Sequence, residues 1–320
     1  MSIKFEILNS NHIEIVSEIA LKEYYEEKSK VSILPEENFY ESICKLVSEL
    51  ADHKLGVVAV EGKKILGFLT CHKPIKNYFG KTLGTFSPIH AHGTIKENRK
   101  NIYSLLYQQT SKIWVKQEIY SHAIALYKHN DEAVSSFFEN GFGLRCIDAI
   151  RTVEAIKSKD FPDINFFELR IDSIDKLVPL KNNLIKHLQE TPIYIPLFFK
   201  VDEEKMRKNN SEKNSRYFVA EKNDNIIAYI EIMNSGENFA CTSTNMKNIC
   251  SAYMYPKYRN NGIFTKLISY LMEILDKEGY KKCGVDFESL NPTAKGFWLK
   301  YFTAYTYSVV RRIDERINDN

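Results

Sequence analysis

The sequence predicts an α/β protein built from two tandem copies of one domain, each with a mixed, mostly antiparallel sheet flanked by helices. Three observations support this. The chain has 320 residues, about the length of two average domains. When the sequence is shifted against itself by about 161 residues, four regions of the first half align with four similar regions of the second half. Each copy combines a hairpin with strand–helix–strand units, which is typical of a mixed sheet covered by helices.

The repeat involves strands, a hairpin and the start of a helix. Because the offset changes little along the chain, we expect few insertions. We therefore place the two domains at 1–156 and 164–320, joined by a charged segment that contains a proline. The matching regions are 5–8 with 167–170, 58–68 with 219–229, Asn130 and Ala133 with Asn291 and Ala294, and Arg151 with Arg311 or Arg312.

Each copy is predicted to run strand, helices, a strand pair, a strand, a helix, a strand, a helix and a final strand. In the first copy the pair is 56–60 and 65–71, two alternating apolar runs joined by the turn Glu61-Gly-Lys-Lys64. In the second copy the corresponding hairpin begins at 217–221 and turns at 222–225. Each copy is large enough to bury a core without disulfides or metals.

A loop in the second copy, Tyr-Arg-Asn-Asn-Gly-Ile-Phe at 258–264, separates a strand from an amphipathic helix. The strand, 249–255, ends at Pro256, because proline cannot donate to a β-ladder. The helix, 265–278, has apolar residues at helical spacing. The free amides and positive dipole end of a helix N-terminus favour phosphate. This arrangement predicts an anion site.

The loop resembles the acetyl-CoA pyrophosphate loop of the GCN5-related N-acetyltransferases, the GNAT superfamily. In that pattern, Arg259 and Gly262 match, whereas Phe264 stands where glycine or alanine is usual. A second predicted strand, 281–288, is followed by Asn291, Ala294 and Trp298 at the family's spacing for asparagine, alanine and an aromatic residue. The resemblance extends from 249 to 312 and implies two GNAT-like domains.

The resemblance implies an acyltransferase that uses acetyl-CoA as its acyl-donor cosubstrate. Backbone groups of the strand before the loop would align the pantetheine arm, the loop amides would bind the pyrophosphate, and Asn291 would bond the pantetheine. The implied cofactor-binding residues are Ala252, Tyr253, Met254, Arg259, Asn260, Asn261, Gly262, Ile263, Phe264, Thr265, Asn291 and Trp298.

The first copy is expected to have lost this site. At the same offset, Asn101 stands opposite Gly262, and a side chain at that position tends to hold a phosphate away from the backbone. Ala125 and Tyr127 stand opposite the acids Asp286 and Glu288. We therefore predict a C-terminal copy that binds acetyl-CoA and an N-terminal copy with a structural or substrate-shaping role.

The proton-transfer groups depart from the family pattern. Many relatives carry tyrosine where this chain has Trp298, and an indole cannot act as an acid toward a thiolate. Water or a nearby hydroxyl would replace it, and Tyr305 is our candidate among three tyrosines that follow. Glu288 is the candidate base, ahead of Asp286 on the same strand face. The alternative is that both acids are solvated or paired with arginine.

The acceptor is expected to be a small-molecule amine or a peptide N-terminus. The segment 181–216, where these enzymes build the acceptor side of the cleft, contains His187, Tyr194 and Phe198 with two X-Pro turns. These side chains would form an apolar wall or pack against the other copy. Trp298 and Phe264 also leave open a second function, a non-catalytic acyl-CoA-binding or interaction module.

Other classes of function find less support. His90 and His92 have no further ligands at metal-binding spacing, and six cysteines without a C-x-x-C motif are typical of a reducing compartment. A net charge of +3 is too small to argue for nucleic acid. Without a membrane-length apolar run or a signal-peptide pattern, we expect a cytoplasmic protein, as a monomer or a homodimer.

Overall fold

The computed structural model describes residues 2–318, and the chain divides into two compact units. Unit 1 contains 1–147 and 304–320, and unit 2 contains 148–303. The first division lies ten residues before the predicted linker, 157–163, which falls within unit 2. The end of the chain differs from the prediction, since residues from 304 onward lie in unit 1 and not with the rest of the second copy.

The described part of unit 1 contains four α-helices and seven strands that lie wholly within it. Their order is the predicted one, apart from one short extra strand and one strand that is broken in two. Its helices are α1 (Ile13–Lys30), α2 (Tyr40–Ala51), α3 (Arg99–Lys116) and α4 (Asp131–Glu139). Its strands are β1 (Lys4–Ile7), β2 (Val57–Glu61), β3 (Lys64–Leu69), β4 (Ile75–Lys76), β5 (Leu83–Ser87), β6 (His92–Thr94) and β7 (Ile119–Tyr127). Strand β8 (Gly143–Thr152) crosses the division between the units.

Unit 2 repeats the same order of elements. Its strands are β9 (Asn165–Leu169), β10 (Arg216–Lys222), β11 (Asn225–Met233), β12 (Met246–Met254) and β13 (Lys282–Glu288). Its helices are α5 (Val178–Gln189), α6 (Glu203–Lys213), α7 (Ile263–Lys277) and α8 (Pro292–Tyr301). Both predicted hairpins are present, as β2–β3 and β10–β11. The last strand, β14 (Thr303–Arg312), begins where unit 2 ends.

The sheets are mixed and mostly antiparallel, which confirms the predicted fold class. In unit 1, β1, β2, β3 and β6 form an antiparallel sheet, and β5 pairs with β7 in parallel. In unit 2, β9 to β12 are antiparallel neighbours, and β12 pairs with β13 in parallel. Strand β14 pairs antiparallel with β7, from Thr306 opposite Tyr127 to Arg312 opposite Ser121. This pairing places the end of the chain in unit 1.

The two copies differ at the strand that precedes the phosphate-binding region. In unit 2 this strand, β12, is continuous through a bulge that leaves Cys250 as the extra residue between Ile249 and Ser251. In unit 1 the same stretch is two strands, β5 and β6, separated by a segment that begins with Pro88. A proline cannot donate to a ladder, which is consistent with the break there.

Candidate functional site in unit 2

The site in unit 2 opens where two parallel strands separate. Pairing of β12 with β13 begins at Met246 opposite Lys282 and extends to Ile249 opposite Val285. Strand β12 continues beyond that point to Met254, paired with β11 on its other side. The backbone edge of Ala252 to Met254 therefore faces a gap, and it can pair with an extended ligand as a further strand would.

A cavity of about 280 Å³ occupies this region. It lies between α5, the end of β12, the loop before α7, and α8. All but two of the predicted cofactor-binding residues line it, and the structure adds five more from α5 and α8. The predicted ones are Ala252, Tyr253, Met254, Arg259, Asn260, Gly262, Phe264, Thr265, Asn291 and Trp298, and the added ones are Leu184, His187, Thr293, Ala294 and Phe297.

The loop presents the N-terminus of α7 to the cavity. Gly262 immediately precedes the helix with φ +93°, a left-handed conformation that glycine adopts without strain. The Asn261 side chain accepts a hydrogen bond from the Ile263 amide at 3.2 Å, and Ile263 is buried beneath the loop. These contacts explain why the two residues do not line the cavity. The next amides of the first turn have no carbonyl partner within the helix and are suited to an anion.

Arg259 is held against the end of β12. Its Nε donates to the Met254 carbonyl at 3.0 Å, and its guanidinium lies 5.4 Å from the centroid of the Tyr253 ring. The anchored guanidinium places a fixed positive charge beside the loop amides. That combination suits a pyrophosphate, which needs both charge and directed N–H donors.

The two departures from the family pattern, Phe264 and Trp298, contact each other. Their ring centroids are 6.0 Å apart, and Phe297 packs edge-on against both, at 5.0 Å and 5.1 Å. Trp298 is also buried. Each aromatic residue fills space beside the other, so the two substitutions are best understood as one packing change. They leave an aromatic wall at this side of the cavity.

Asn291 begins α8 and faces the cavity. Its Oδ1 accepts from the Ala294 amide at 3.2 Å and from the Thr293 hydroxyl at 2.8 Å, as expected of an N-cap residue. In unit 1, Asn130 caps α4 in the same way, through the Ala133 amide at 3.1 Å. The side-chain amide nitrogen of Asn291 is not needed for the cap and can donate to a ligand.

The two predicted proton-transfer residues do not line the cavity. Tyr305 is fully buried in unit 1, where its carbonyl accepts from the Lys128 amide at 2.9 Å. Glu288 lies at the end of β13, and its carbonyl accepts from the Asn291 amide. Asp286 is in the same strand, where burial, with Asp148 and Glu237 nearby, raises its pKa well above the ordinary value. Sequence spacing located the strand but did not determine which side chains reach the cavity.

In unit 1 the loop corresponding to the phosphate loop is shortened. Helix α3 begins at Arg99, soon after β6 ends at Thr94, and Asn98 precedes it with φ +56°. Asn98 therefore has the conformational role of Gly262. Asn101, which the sequence offset placed there, lies inside the helix. The sequence offset predicted the wrong residue because, when the two copies are aligned, α3 begins about one turn earlier than α7.

A buried carboxylate, Glu23 of α1, satisfies the donors of unit 1 that correspond to the cavity-lining groups of unit 2. It accepts from the Thr94 amide at 2.9 Å, from the Tyr103 hydroxyl at 2.7 Å and from the Asn130 side-chain amide at 3.2 Å. Asn130 corresponds to Asn291 in the repeat. Arg99 lies beside this cluster and pairs with Glu26 at 2.7 Å. The groups that would meet a cofactor in unit 1 are thus engaged within the protein.

Burial raises the pKa of Glu23 from 4.5 to about 7, although Arg99 opposes the shift. Ionisation therefore costs more in the folded protein than in the unfolded chain. Protonated Glu23 therefore stabilises the folded protein below about pH 4.5. This stabilisation is lost as the pH rises to about 7, and the free energy of unfolding falls by about 3 kcal/mol in all. We expect Glu23→Gln to remove this loss, as measured by urea unfolding from about pH 5 to about pH 8.

Glu26, the neighbouring carboxylate, provides a control in which stability changes with pH in the opposite direction. Hydrogen bonding and charge from Arg99 outweigh burial and lower the pKa of Glu26. Its contribution is therefore lost as the pH falls, and Glu26→Gln should reduce stability most at neutral pH. If wild type and Glu23→Gln show the same pH dependence of unfolding, Glu23 does not titrate as described.

Comparisons with known proteins agree with this geometry. Residues 183–302 match the family model described as the Acetyltransferase (GNAT) family. The GCN5-related N-acetyltransferase from Sphaerobacter thermophilus is similar in structure with a TM-score of 0.61 at 9% identity, over 97% of this chain and 95% of that one. A tandem GNAT protein from the clavulanic acid biosynthesis pathway has a TM-score of 0.50 at 8% identity, over 97% of both chains. No curated protein sequence matches.

A glucosamine N-acetyltransferase region of a fungal multi-domain β-N-acetylglucosaminidase is also similar, with a TM-score of 0.59 and 12% identity over 97% of this chain and 38% of that one. The repeated mixed sheet, the separated parallel strands and the helix N-terminus define an α/β protein with the fold of these acetyltransferases. Residues 183–302 therefore match the GNAT family, and the chain as a whole shares its fold with GCN5-related N-acetyltransferases.

Two further observations concern other classes of site. Within residues 2–318, no group of three or more histidine, cysteine or acidic side chains is placed to hold a metal ion. His92 is instead buried in unit 1, with its Nε2 2.7 Å from the Ala125 carbonyl. None of the helices in the described part of the chain has the length and apolar character needed to cross a membrane.

Proposed function

We propose that this protein is an acetyl-CoA-dependent N-acetyltransferase whose donor site is the cavity of unit 2. The observation that supports this most directly is the convergence of three elements on one cavity. These are the free edge of β12, the N-terminus of α7 and the capping asparagine of α8. We also propose that the two repeated domains are 1–156 and 164–320, and that the second of them contains the donor site.

The geometry suggests how the donor is held. The pyrophosphate would lie at the first turn of α7, next to Arg259, where amides and charge converge. The pantetheine arm would then run back along β12 from Met254 to Ala252, pairing with the free strand edge. Asn291 would donate a hydrogen bond from its side-chain amide. This path brings the thioester toward Ala252, and a backbone N–H there could polarise its carbonyl.

The reaction is direct attack of an amine on the thioester carbonyl, with an acetamide and the CoA thiol as products. Holding the thioester against a rigid strand lowers the barrier by positioning, and the strand amide stabilises the developing oxyanion. The acceptor is proposed to be a small-molecule amine or a peptide N-terminus. Tyr194 and Phe198, which follow α5 in the chain, are 69% and 89% exposed and are proposed to contact the acceptor.

A second candidate function is a non-catalytic acyl-CoA-binding module. It is favoured by Trp298 at the position where many relatives have tyrosine, and by the absence of Glu288 and Tyr305 from the described residues that line the cavity. Both functions require donor binding. Release of the CoA thiol in the presence of a primary amine distinguishes them, because only the enzyme consumes acetyl-CoA.

Calorimetry with acetyl-CoA tests donor binding and its stoichiometry. We expect one site per chain, and about tenfold weaker binding for Asn291→Ser, which keeps a hydroxyl cap but loses the amide donor. The matched control is Asn130→Ser, the same change at the corresponding cap of unit 1, which should leave affinity unchanged. Two sites would contradict the assignment of unit 1, and no binding to wild type would contradict the proposed function.

A further inference from the structure

His187 was not predicted as a donor-site residue, yet it lines the cavity. It lies near the end of α5, one turn after Leu184, and both side chains face the cavity. The His187 ring lies 6.5 Å from the Tyr253 ring, and its side chain interacts with that of Asn291. Its half-buried imidazole is therefore close to the strand and the asparagine that the proposed thioester would contact.

The helix that carries His187 is fixed to the sheet by a buried ion pair. Lys181, earlier on α5, pairs with Glu231 of β11, and its Nζ lies 3.2 Å from the Ser251 hydroxyl of β12. The Tyr217 hydroxyl donates to Glu231 at 2.9 Å. This network sets the distance between α5 and the free edge of β12. His187 is consequently placed by packing and does not depend on a flexible loop.

The repeat supports a special role for this face of α5. At the repeat offset, Leu184 and His187 correspond to Glu23 and Glu26 of α1. In unit 1 those carboxylates engage the unit's own donors and arginine, as described above. In unit 2 the same two positions hold an apolar side chain and a titratable imidazole, which leave the cavity open and place a proton acceptor in it.

Among the described residues that line the cavity, few can exchange a proton near neutral pH. Arginine remains protonated, and burial raises the pKa of Tyr253. Glu288 and Tyr305 lie elsewhere. We propose that His187 is the catalytic base, accepting a proton from the incoming amine and returning it to the CoA thiolate; this rests on the proposed acetyltransferase function.

The proposed step is balanced within the site. The amine nitrogen forms a bond to the thioester carbonyl carbon, and the C–S bond then breaks. His187 takes the proton that nitrogen loses, and the resulting imidazolium gives it to the departing thiolate. The products are an acetamide and CoA thiol, and the imidazole returns to its neutral form. A histidine can perform both transfers because its pKa lies near neutrality.

The surroundings of His187 keep it neutral in the resting protein. Burial, and then the positive charge of Arg259, lower its pKa, whereas Asn291 and Glu190 act in the opposite direction. Tyr253, the other titratable group that its ring faces, is neutral at pH 7, since a tyrosine ordinarily has a pKa near 10 and burial raises that of Tyr253 further. The imidazole is thus available to accept a proton at physiological pH.

The first test is NMR of the histidine rings, with the His187 signal assigned by its loss in His187→Gln. We expect its titration midpoint below 6.5 and a clear shift on adding acetyl-CoA. His53→Gln, a histidine of unit 1, is the control and should leave that signal intact. If calorimetry detects acetyl-CoA binding but the His187 signal does not respond, this inference fails while the proposed function stands.

The second test is kinetic. CoA thiol release is measured with a panel of primary amines across pH, for wild type and His187→Gln. We expect kcat to fall about a hundredfold in the variant, with loss of the low-pH limb of the kcat profile and little change in acetyl-CoA affinity. An unchanged kcat and profile would overturn the role of His187. Failure of wild type to acetylate any amine, with donor bound, would overturn both the enzyme and its base.

Discussion

Replacing Gly262 by tryptophan is expected to abolish acetyl-CoA binding, with a loss of affinity on the order of a hundredfold or more. Gly262 has φ +93°, and a Cβ there would lie 3.6 Å from the Phe161 ring. An indole at this position would cover the first amides of α7, where the pyrophosphate is proposed to bind. Calorimetry measures the loss, and circular dichroism checks that the fold is retained.

The other end of the same helix provides a matched control. Gly279 follows α7 with φ +86°, and a Cβ there would meet nothing within 4 Å. Gly279→Trp therefore imposes a similar backbone strain and the same side chain, but far along the helix from the cavity. It should bind acetyl-CoA as wild type does. Equal binding by the two variants would contradict a donor site at the N-terminus of α7.

Lys181→Met is expected to lower the free energy of unfolding by about 3–5 kcal/mol, the usual cost of leaving one partner of a buried ion pair uncompensated. Glu231 is 8% exposed and would lose its cation, although the Tyr217 hydroxyl still donates to it. Lys181 also lies 5.0 Å from the centroid of the Tyr229 ring, so the substitution removes a further contact. Urea unfolding at neutral pH measures the effect.

Two further variants identify the origin of that loss. Lys181→Met with Glu231→Leu removes both charges, and we expect it to recover most of the lost stability, because a packed apolar pair can replace a buried ion pair. Lys176→Met breaks the more exposed pair with Glu221, whose closest approach is 3.9 Å, and should change stability by less than about 1 kcal/mol. A double variant no more stable than Lys181→Met would show that packing, and not an unpaired charge, caused the loss.

The position of α5 links this stability prediction to function. Lys181 and His187 are on the same helix, so loosening the ion pair should also disturb the cavity wall. We expect the double variant to retain acetyl-CoA binding if its apolar pair keeps α5 in place. Stability and donor affinity can therefore be compared in the same set of proteins.

The sequence by itself determined the repeat, the fold class and most of the residues that line the cavity of unit 2. Each depends on local patterns: apolar spacing marks strands and helices, glycine permits the left-handed turn at Gly262, and the asparagine cap at Asn291 follows from its place before a helix. The residues of the loop and of the adjoining strand are close together in the chain. A short-range pattern was therefore enough to gather them.

Only the tertiary structure decided which distant elements meet. Strand β14 pairs with β7 and joins unit 1, because strand periodicity specifies a buried face but not a partner. Glu23 and His187 come from helices far from the loops they face, and neither α1 nor α5 shows in its sequence which cavity it covers. Tyr305 was a reasonable choice by proximity in sequence, yet the strand that carries it is buried in unit 1. Long-range packing, which no local pattern records, determines these side-chain positions.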